Sequence, residues 1–245
     1  MLIIHFGNQD VTTGVHLADA LQRRLGDEVS VEARPRAHHL DLREWPQASG
    51  YAWIESGVAS YPLHTDAAPF LTVGYLIDVH LHTAQSLLTA PLFDAVFIAQ
   101  RDYLDQFRAV HPNVEWLPLA CPVEFTRAPR APIFDVGFVG NAAAGTRRKR
   151  LLDFLSARFA MNDWQRHHST AEMAAVYRRS RVVVNDPAAG DLNMRFFEAM
   201  GSGAVVIQPA IANGAHAVAE PGQHFLEADF DDFEQVARTI TDVLA

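Results

Sequence analysis

The chain has a single cysteine, Cys121, in 245 residues. No intrachain disulfide can form, which excludes a disulfide-stapled secreted scaffold and favours a reducing, cytoplasmic setting. No apolar run approaches the roughly 20 residues needed to cross a bilayer. The opening MLIIHFGNQD lacks a basic leader and a small-residue cleavage site, so it is read as a first strand rather than a signal peptide. Positive charge is in the minority, with 20 Lys+Arg against 29 Asp+Glu and a net charge of -9. That balance argues against a nucleic-acid partner and against a strong hold on anionic lipid. The sequence also lacks a G-x-S-x-G elbow, a Walker loop and a G-x-G-x-x-G fingerprint, and no His adjoins Cys121. Hydrolase chemistry of the nucleophilic type and nicotinamide or ATP-phosphate sites are therefore unsupported.

What is present is a globular composition, 49% hydrophobic and 20% charged, long enough for one large domain or two small ones. LIIHFG is a short apolar run, and residues 15–25 follow with apolar side chains at helical recurrence. VSVEARP, YAWIESG, LTVGYLIDV, DAVFIAQ and VEWLPLA read as further strands, with RDYLDQFRAV helical. Residues 121–132, CPVEFTRAPRAP, have three prolines and no period, the signature of a linker. A second series follows: strand FDVGFVGN, helix TRRKRLLDFLSARF capped by Thr146, helix TAEMAAVYRRS, strand RVVVND, helix NMRFFEAMGS, strand AVVIQP, strand QHFLEA and a last helix. Alternating strands and helices predict α/β architecture with parallel sheets. The reading is two Rossmann-like doubly wound domains, 1–122 and 123–245, facing across a compact cleft, with ligands at the carboxyl ends of the strands. The first half has room for about five or six short strands.

Three constellations carry chemistry. In residues 185–209, RVVVND delivers Asn185 and Asp186 to a strand end, and a helix starts near Met194 after a Pro-Ala-Ala-Gly turn. Such a helix start suits an anionic or polar ligand. Arg195 and Glu198, three residues apart, share one helical face. They form either a solvated ion pair or a ligand-facing set, in which Glu198 accepts from vicinal ribose hydroxyls and Arg195 orients it or contacts phosphate. In GFVGNAAAGTRRKR, Gly137 and Gly140 permit close backbone approach, Asn141 can donate to phosphate, and Arg147 to Arg150 crowd a helix amino end, where cations oppose the dipole. A bound diphosphate would offset that cost; otherwise the run is a basic surface patch.

In LIDVHLHTAQ, Asp78, His80 and His82 alternate and on an extended backbone would share a face. No distant ligand set completes a metal site around them, and the pairs His38-His39 and His167-His168 lie in loop-like contexts, so no metal is assigned. Asp78 or His80 instead faces an acceptor hydroxyl or a donor phosphate, or Asp78 simply caps the helix from Thr83. Glu55, before a Ser-Gly turn, and Gly7 and Asn8, ending the first strand, are the remaining candidates on that side.

The run VYRRSRVVVND…DLNMRFFEAMGSGAVVIQP resembles the nucleotide-binding half of GT-B glycosyltransferases, in particular the CgeB-like group. FDVGFVGN with its Arg-rich helix, YLIDVHLH, and DAVFIAQRDYLDQF…VEWLPLAC extend the resemblance over most of residues 70–210. The resemblance implies a metal-independent, hexosyltransferase-type enzyme with no cofactor beyond its nucleoside-diphosphate sugar donor, and a glycan, protein or small-molecule acceptor. It assigns ribose binding to Glu198 and ligand contacts to Gly140, Asn141, Arg148, Asn185, Asn193, Met194 and Arg195. The E-x7-E signature of related retaining enzymes is incomplete: Gly190 stands eight residues before Glu198, and the nearest carboxylate is Asp191. Asp78, His80 and Asp191 are the candidate catalytic groups. The alternatives are an epimerase or hydrolase of the same architecture, or a non-catalytic nucleotide-sugar-binding module.

Overall fold

A computed structural model describes residues 1–6, 13–26, 31–35, 39–55, 61–126, 128, 130–187 and 189–245, with only the backbone described at 31–35 and 61. The chain divides into two compact units, Met1–Leu119 and Ala120–Ala245.

The first unit holds β1 (Leu2–Phe6), α1 (Thr13–Leu25), β2 (Val31–Pro35), β3 (His39–Asp41), β4 (Gly50–Glu55), β5 (Tyr61–Leu63), β6 (Leu71–Leu76), α2 (Thr83–Thr89), β7 (Ala95–Ile98), α3 (Leu104–Arg108) and β8 (Val114–Trp116). Six strands form one parallel sheet in the order β2-β1-β4-β6-β7-β8. The order reverses between β1 and β4, the kind of switch point beside which open α/β sheets bind ligands. Helix α1 sits close against β1: a Cβ at Gly14 would lie 2.3 Å from the Phe6 ring. Ile3, Trp53, Leu76, Val96, Ile98, Phe93 and Phe107 belong to one buried cluster, with Trp53 stacked on Phe93.

This unit departs from the expected five or six strands. Beside the six-stranded sheet, β3 and β5 pair as a separate two-stranded sheet, three-residue strands too short to show a period in the sequence. The reading of Asp78, His80 and His82 as extended is also corrected. Strand β6 stops at Leu76, and residues 77–82 form a turn into α2. The Glu55 carboxylate accepts the backbone amides of Ile77 and Asp78 at 3.2 and 2.8 Å, which holds that turn in place.

The second unit holds β9 (Phe134–Gly137), α4 (Arg147–Ser156), α5 (Thr170–Tyr177), β10 (Ser180–Val184), α6 (Met194–Gly201), β11 (Val205–Gln208), α7 (Ala215–Val218), β12 (Phe225–Glu227) and α8 (Phe233–Leu244). Its sheet is parallel in the order β12-β11-β10-β9. Successive strand residues face opposite ways, and the two faces have separate cores. Val183 and Val206 join Tyr177 of α5 and Phe196 and Ala199 of α6. Val182, Val184 and Ile207 join Leu151, Leu152 and Leu155 of α4 and Val236 and Ile240 of α8. The chain advances across this sheet in one direction, so the second unit has helices on both faces but no reversal of strand order among the described residues. The carboxyl ends of β9, β10 and β11 lead into loops at one end of this sheet.

Candidate functional site

At those strand ends, three segments meet. β9 runs into Phe138–Gly140, β10 into Asn185 and Asp186, and α6 begins with Asn193, whose side chain caps the helix by accepting from the Phe196 amide at 3.3 Å. Arg195, the second residue of α6, does not form the ion pair that its spacing from Glu198 allowed. Its Nε donates to the Val139 carbonyl and its Nη1 to Asn185 Oδ1, each at 3.1 Å, and its guanidinium carbon stands 4.5 Å from the centre of the Phe138 ring. Gly140 makes room for it: with φ at +149°, its backbone passes so near that a Cβ would fall 2.3 Å from Arg195 Nη2.

Glu198 is 6% exposed. Burial pushes its carboxyl up to about 7, with the Arg195 charge pulling the other way. Among the described residues no hydrogen bond or ion pair holds the carboxylate; the backbone carbonyl of Glu198 accepts from Ser202. Its field reaches Tyr177, whose hydroxyl donates to the Val139 carbonyl at 3.3 Å and whose phenol is pushed up to about 12 by burial. It also reaches Cys121, whose thiol is pushed up to about 12 by burial first and then by Glu198. A thiol held protonated in this way is a poor nucleophile.

The basic run resolves into separate partners. Thr146 caps α4 by accepting from the Lys149 amide. Arg147 donates to Asp186 Oδ1 at 2.7 Å and Asp231 Oδ1 at 3.2 Å. Arg148 donates to the Asp186 carbonyl through Nε and Nη2 and to the Asn141 carbonyl through Nη1 at 2.7 Å. Lys149 pairs with Asp153, and Arg150 donates to the Gly145 carbonyl. The cost of cations at this helix end is thus offset within the protein, chiefly by the buried Asp186 carboxylate. Burial and then the nearby Arg195 charge lower the Arg148 pKa.

The second unit therefore brings together Gly140, Asn141, Arg148, Asn185, Asn193, Met194, Arg195 and Glu198, with Asp191 near enough for its charge to act on Arg148. Glu55, Asp78 and His80 belong to the first unit. There Glu55 supports the turn that carries the other two, and the Asp78 carbonyl accepts from the amides of Leu81 and His82. The residue in the capping position before α2 is His82, not Asp78, and it makes no side-chain cap. Gly7 and Asn8 lie outside the described residues. Among the described residues no group of three or more His, Cys, Asp or Glu could hold a metal ion, and no helix is long and apolar enough to cross a membrane. Sequence reasoning passed over Phe138, Tyr177 and Gln208. Phe138 and Gln208 sit in apolar or strand-like runs where nothing distinguishes a site residue from core, and Tyr177 stands second in the quoted VYRRS.

Residues 130–245 match the family model described as glycosyl transferase-like. No curated protein matches the chain. Among solved structures, a glycosyltransferase from Rickettsia africae ESF-5 is similar at a TM-score of 0.55 and 8% identity, over 99% of this chain and 88% of that one. Sucrose-phosphate synthase from Thermosynechococcus elongatus is similar at 0.53 and 12%, over 82% of this chain and 66% of that one. A structure of the GtfA/B complex is similar at 0.52 and 9%, over 83% of this chain and 52% of that one. The chain spans about two-thirds and about half of the length of these last two. Residues 130–245 thus carry a likeness to the glycosyl transferase-like family, and the chain has an α/β fold with parallel sheets similar to that of GT-B glycosyltransferases.

Proposed function

We propose that the protein is a glycosyltransferase that moves a hexosyl group from a nucleoside-diphosphate sugar to the hydroxyl of a glycan, protein or small molecule, without a metal ion. The observation that carries this reading is the Glu198 carboxylate, buried at the strand ends without a hydrogen-bond partner among the described residues. It lies inside the segment that matches the glycosyl transferase-like model and within the CgeB-like run NMRFFEAMGSG. A buried acceptor with both oxygens uncommitted suits two vicinal ribose hydroxyls, each donating one hydrogen bond. Arg195 commits two of its N–H donors to protein oxygens and has others for the diphosphate, where negative charge grows as the leaving group departs.

In the transfer step, the acceptor oxygen bonds to the anomeric carbon while the carbon–oxygen bond to the diphosphate breaks. The electron pair leaves with the diphosphate, and the acceptor proton passes to a base. We assign that base to Asp78 or His80 and a role at the donor sugar to Asp191. Gly140, Asn141, Arg148, Asn185, Asn193 and Met194 line the donor site. Glu55 positions the turn of Asp78, and Gly7 and Asn8 contact the acceptor.

The test is nucleoside-diphosphate release from a panel of sugar nucleotides, with and without a mixture of alcohol and glycan acceptors. Release that requires the acceptor, with a glycosylated product, supports transfer. Release without acceptor indicates hydrolysis, a change in the sugar without release indicates epimerisation, and binding without turnover indicates a module.

A further inference from the structure

Two amide side chains, Gln208 at the end of β11 and Asn213 on the segment that follows, are each half used, and their unused halves are complementary. Hydrogen-bond polarity fixes which half is open. The Arg195 guanidinium can only donate, so the Asn185 atom facing it is Oδ1. Asn185 Nδ2 then faces Gln208 at 2.9 Å, so the Gln208 atom that receives it is Oε1. Gln208 is wholly buried, and among the described residues its Nε2 is left without a partner. Asn213, 7% exposed, donates Nδ2 to the Gly190 carbonyl at 3.1 Å, and a carbonyl can only accept. Its buried Oδ1 likewise has no partner among the described residues.

The two contacts hold the two ends of one stretch, Asn185 and Gly190, at the carboxyl end of β10. What remains unmet there is one donor and one acceptor. An anion would call for donors alone and a cation for acceptors alone. A hydroxyl both gives and takes a hydrogen bond, so a polyol is the chemistry that meets both. Buried polar groups without partners are costly and rare in native proteins. Here Gln208 connects through Asn185 to Arg195, whose charge acts on the buried Glu198 carboxylate.

The geometry points to Gln208 and Asn213 as specificity residues that read the hydroxyls of the transferred sugar, Gln208 as donor and Asn213 as acceptor. This assignment rests on the reading of these strand ends as a sugar-nucleotide site. Both residues lie beyond the helix that carries Arg195 and Glu198, and neither is part of the phosphate or ribose contacts proposed above.

The test is isothermal titration of the full chain with UDP, GDP, ADP and dTDP, each alone and as its glucose conjugate. It compares wild type with Gln208→Met and with Asn213→Gly, a substitution that accepts the left-handed backbone at φ 54°. The readout is the ratio of conjugate affinity to diphosphate affinity, which cancels any general weakening of the site. Loss of one buried hydrogen bond to the sugar lowers this ratio by roughly 5- to 30-fold in each variant. An unchanged ratio in folded variants overturns the assignment and leaves the open half-amides to internal water. If Gln208→Met does not fold, Gln208→Glu retains the acceptor for Asn185 while removing the open amide donor, and the same ratio decides. Failure of wild type to bind any of the eight ligands sinks the sugar-nucleotide reading itself, whereas wild-type binding with an unaltered ratio sinks only the roles of Gln208 and Asn213.

Discussion

Replacing Glu198 with Gln should stabilise the ligand-free protein, and by an amount that depends on pH. Burial raises the carboxyl from 4.5 to about 7. Below pH 4.5 the group is protonated in both folded and unfolded chains and costs nothing through ionisation. Between 4.5 and 7 the unfolded chain releases the proton while the folded one retains it, so the unfolded state binds fewer protons and stability falls as pH rises. Above 7 the full penalty is present. At about 1.4 kcal/mol for each pKa unit, it amounts to about 3 kcal/mol. Gln has nearly the same shape and no charge to desolvate. Urea unfolding of wild type and Glu198→Gln at pH 5 and pH 8 should therefore show the variant ahead by up to about 3 kcal/mol at pH 8 and by under about 1 kcal/mol at pH 5. A variant less stable than wild type at pH 8, or a difference that does not change with pH, would refute the claim that this carboxylate is buried without compensation. The usual penalty for losing a structural ion pair has the opposite sign.

The same titration governs binding. If only the ionised carboxylate accepts ribose hydroxyls, a group with pKa about 7 makes nucleoside-diphosphate affinity about tenfold weaker at pH 6 than at pH 8, as calorimetry at the two pH values would show; stronger binding at pH 6 would contradict it. Gly140→Ala combines a strained positive φ with a Cβ in the place of Arg195 Nη2. It should cost about 1–3 kcal/mol in denaturant unfolding and weaken diphosphate binding by about tenfold or more. Arg147→Ala leaves the Asp186 carboxylate, 6% exposed, without its 2.7 Å partner and should destabilise by about 3 kcal/mol. Asp231→Asn removes only the 77% exposed carboxylate that also meets Arg147 and should cost under about 1 kcal/mol. Equal effects of these two substitutions would show that burial of Asp186 does not set the strength of its pairing.

The parallel α/β character was legible because most strands of the two larger sheets are short apolar runs and the long helices have a periodic face. Thr146 and its capping geometry followed from residue type alone. The small β3–β5 sheet was not legible, since three-residue strands such as His39–Asp41 carry no period. The stop of β6 at Leu76 was hidden because the cause is distant: the carboxylate of Glu55, on a neighbouring strand, bonds the amides that follow. At the site, spacing put Arg195 and Glu198 on one face but could not say where the guanidinium would go. That depends on Val139 and Asn185, partners 56 and 10 residues away in sequence. The TRRKR cations read as either diphosphate contacts or a basic surface patch because nothing in the sequence places Asp186 and Asp231 beside Arg147.

The most direct measurement is a cycle in which both partners of one proposed contact are removed. Wild type and Glu198→Ala are titrated with a nucleoside diphosphate and with its 2′,3′-dideoxy analogue, at pH 8, where the carboxylate is ionised. Ribose recognition by Glu198 predicts that the mutation and the missing hydroxyls each weaken binding by roughly 10- to 100-fold, and that together they cost little more than either alone. Losses that simply multiply, or a mutant that binds the intact diphosphate as tightly as wild type does, would show that Glu198 holds something other than the ribose.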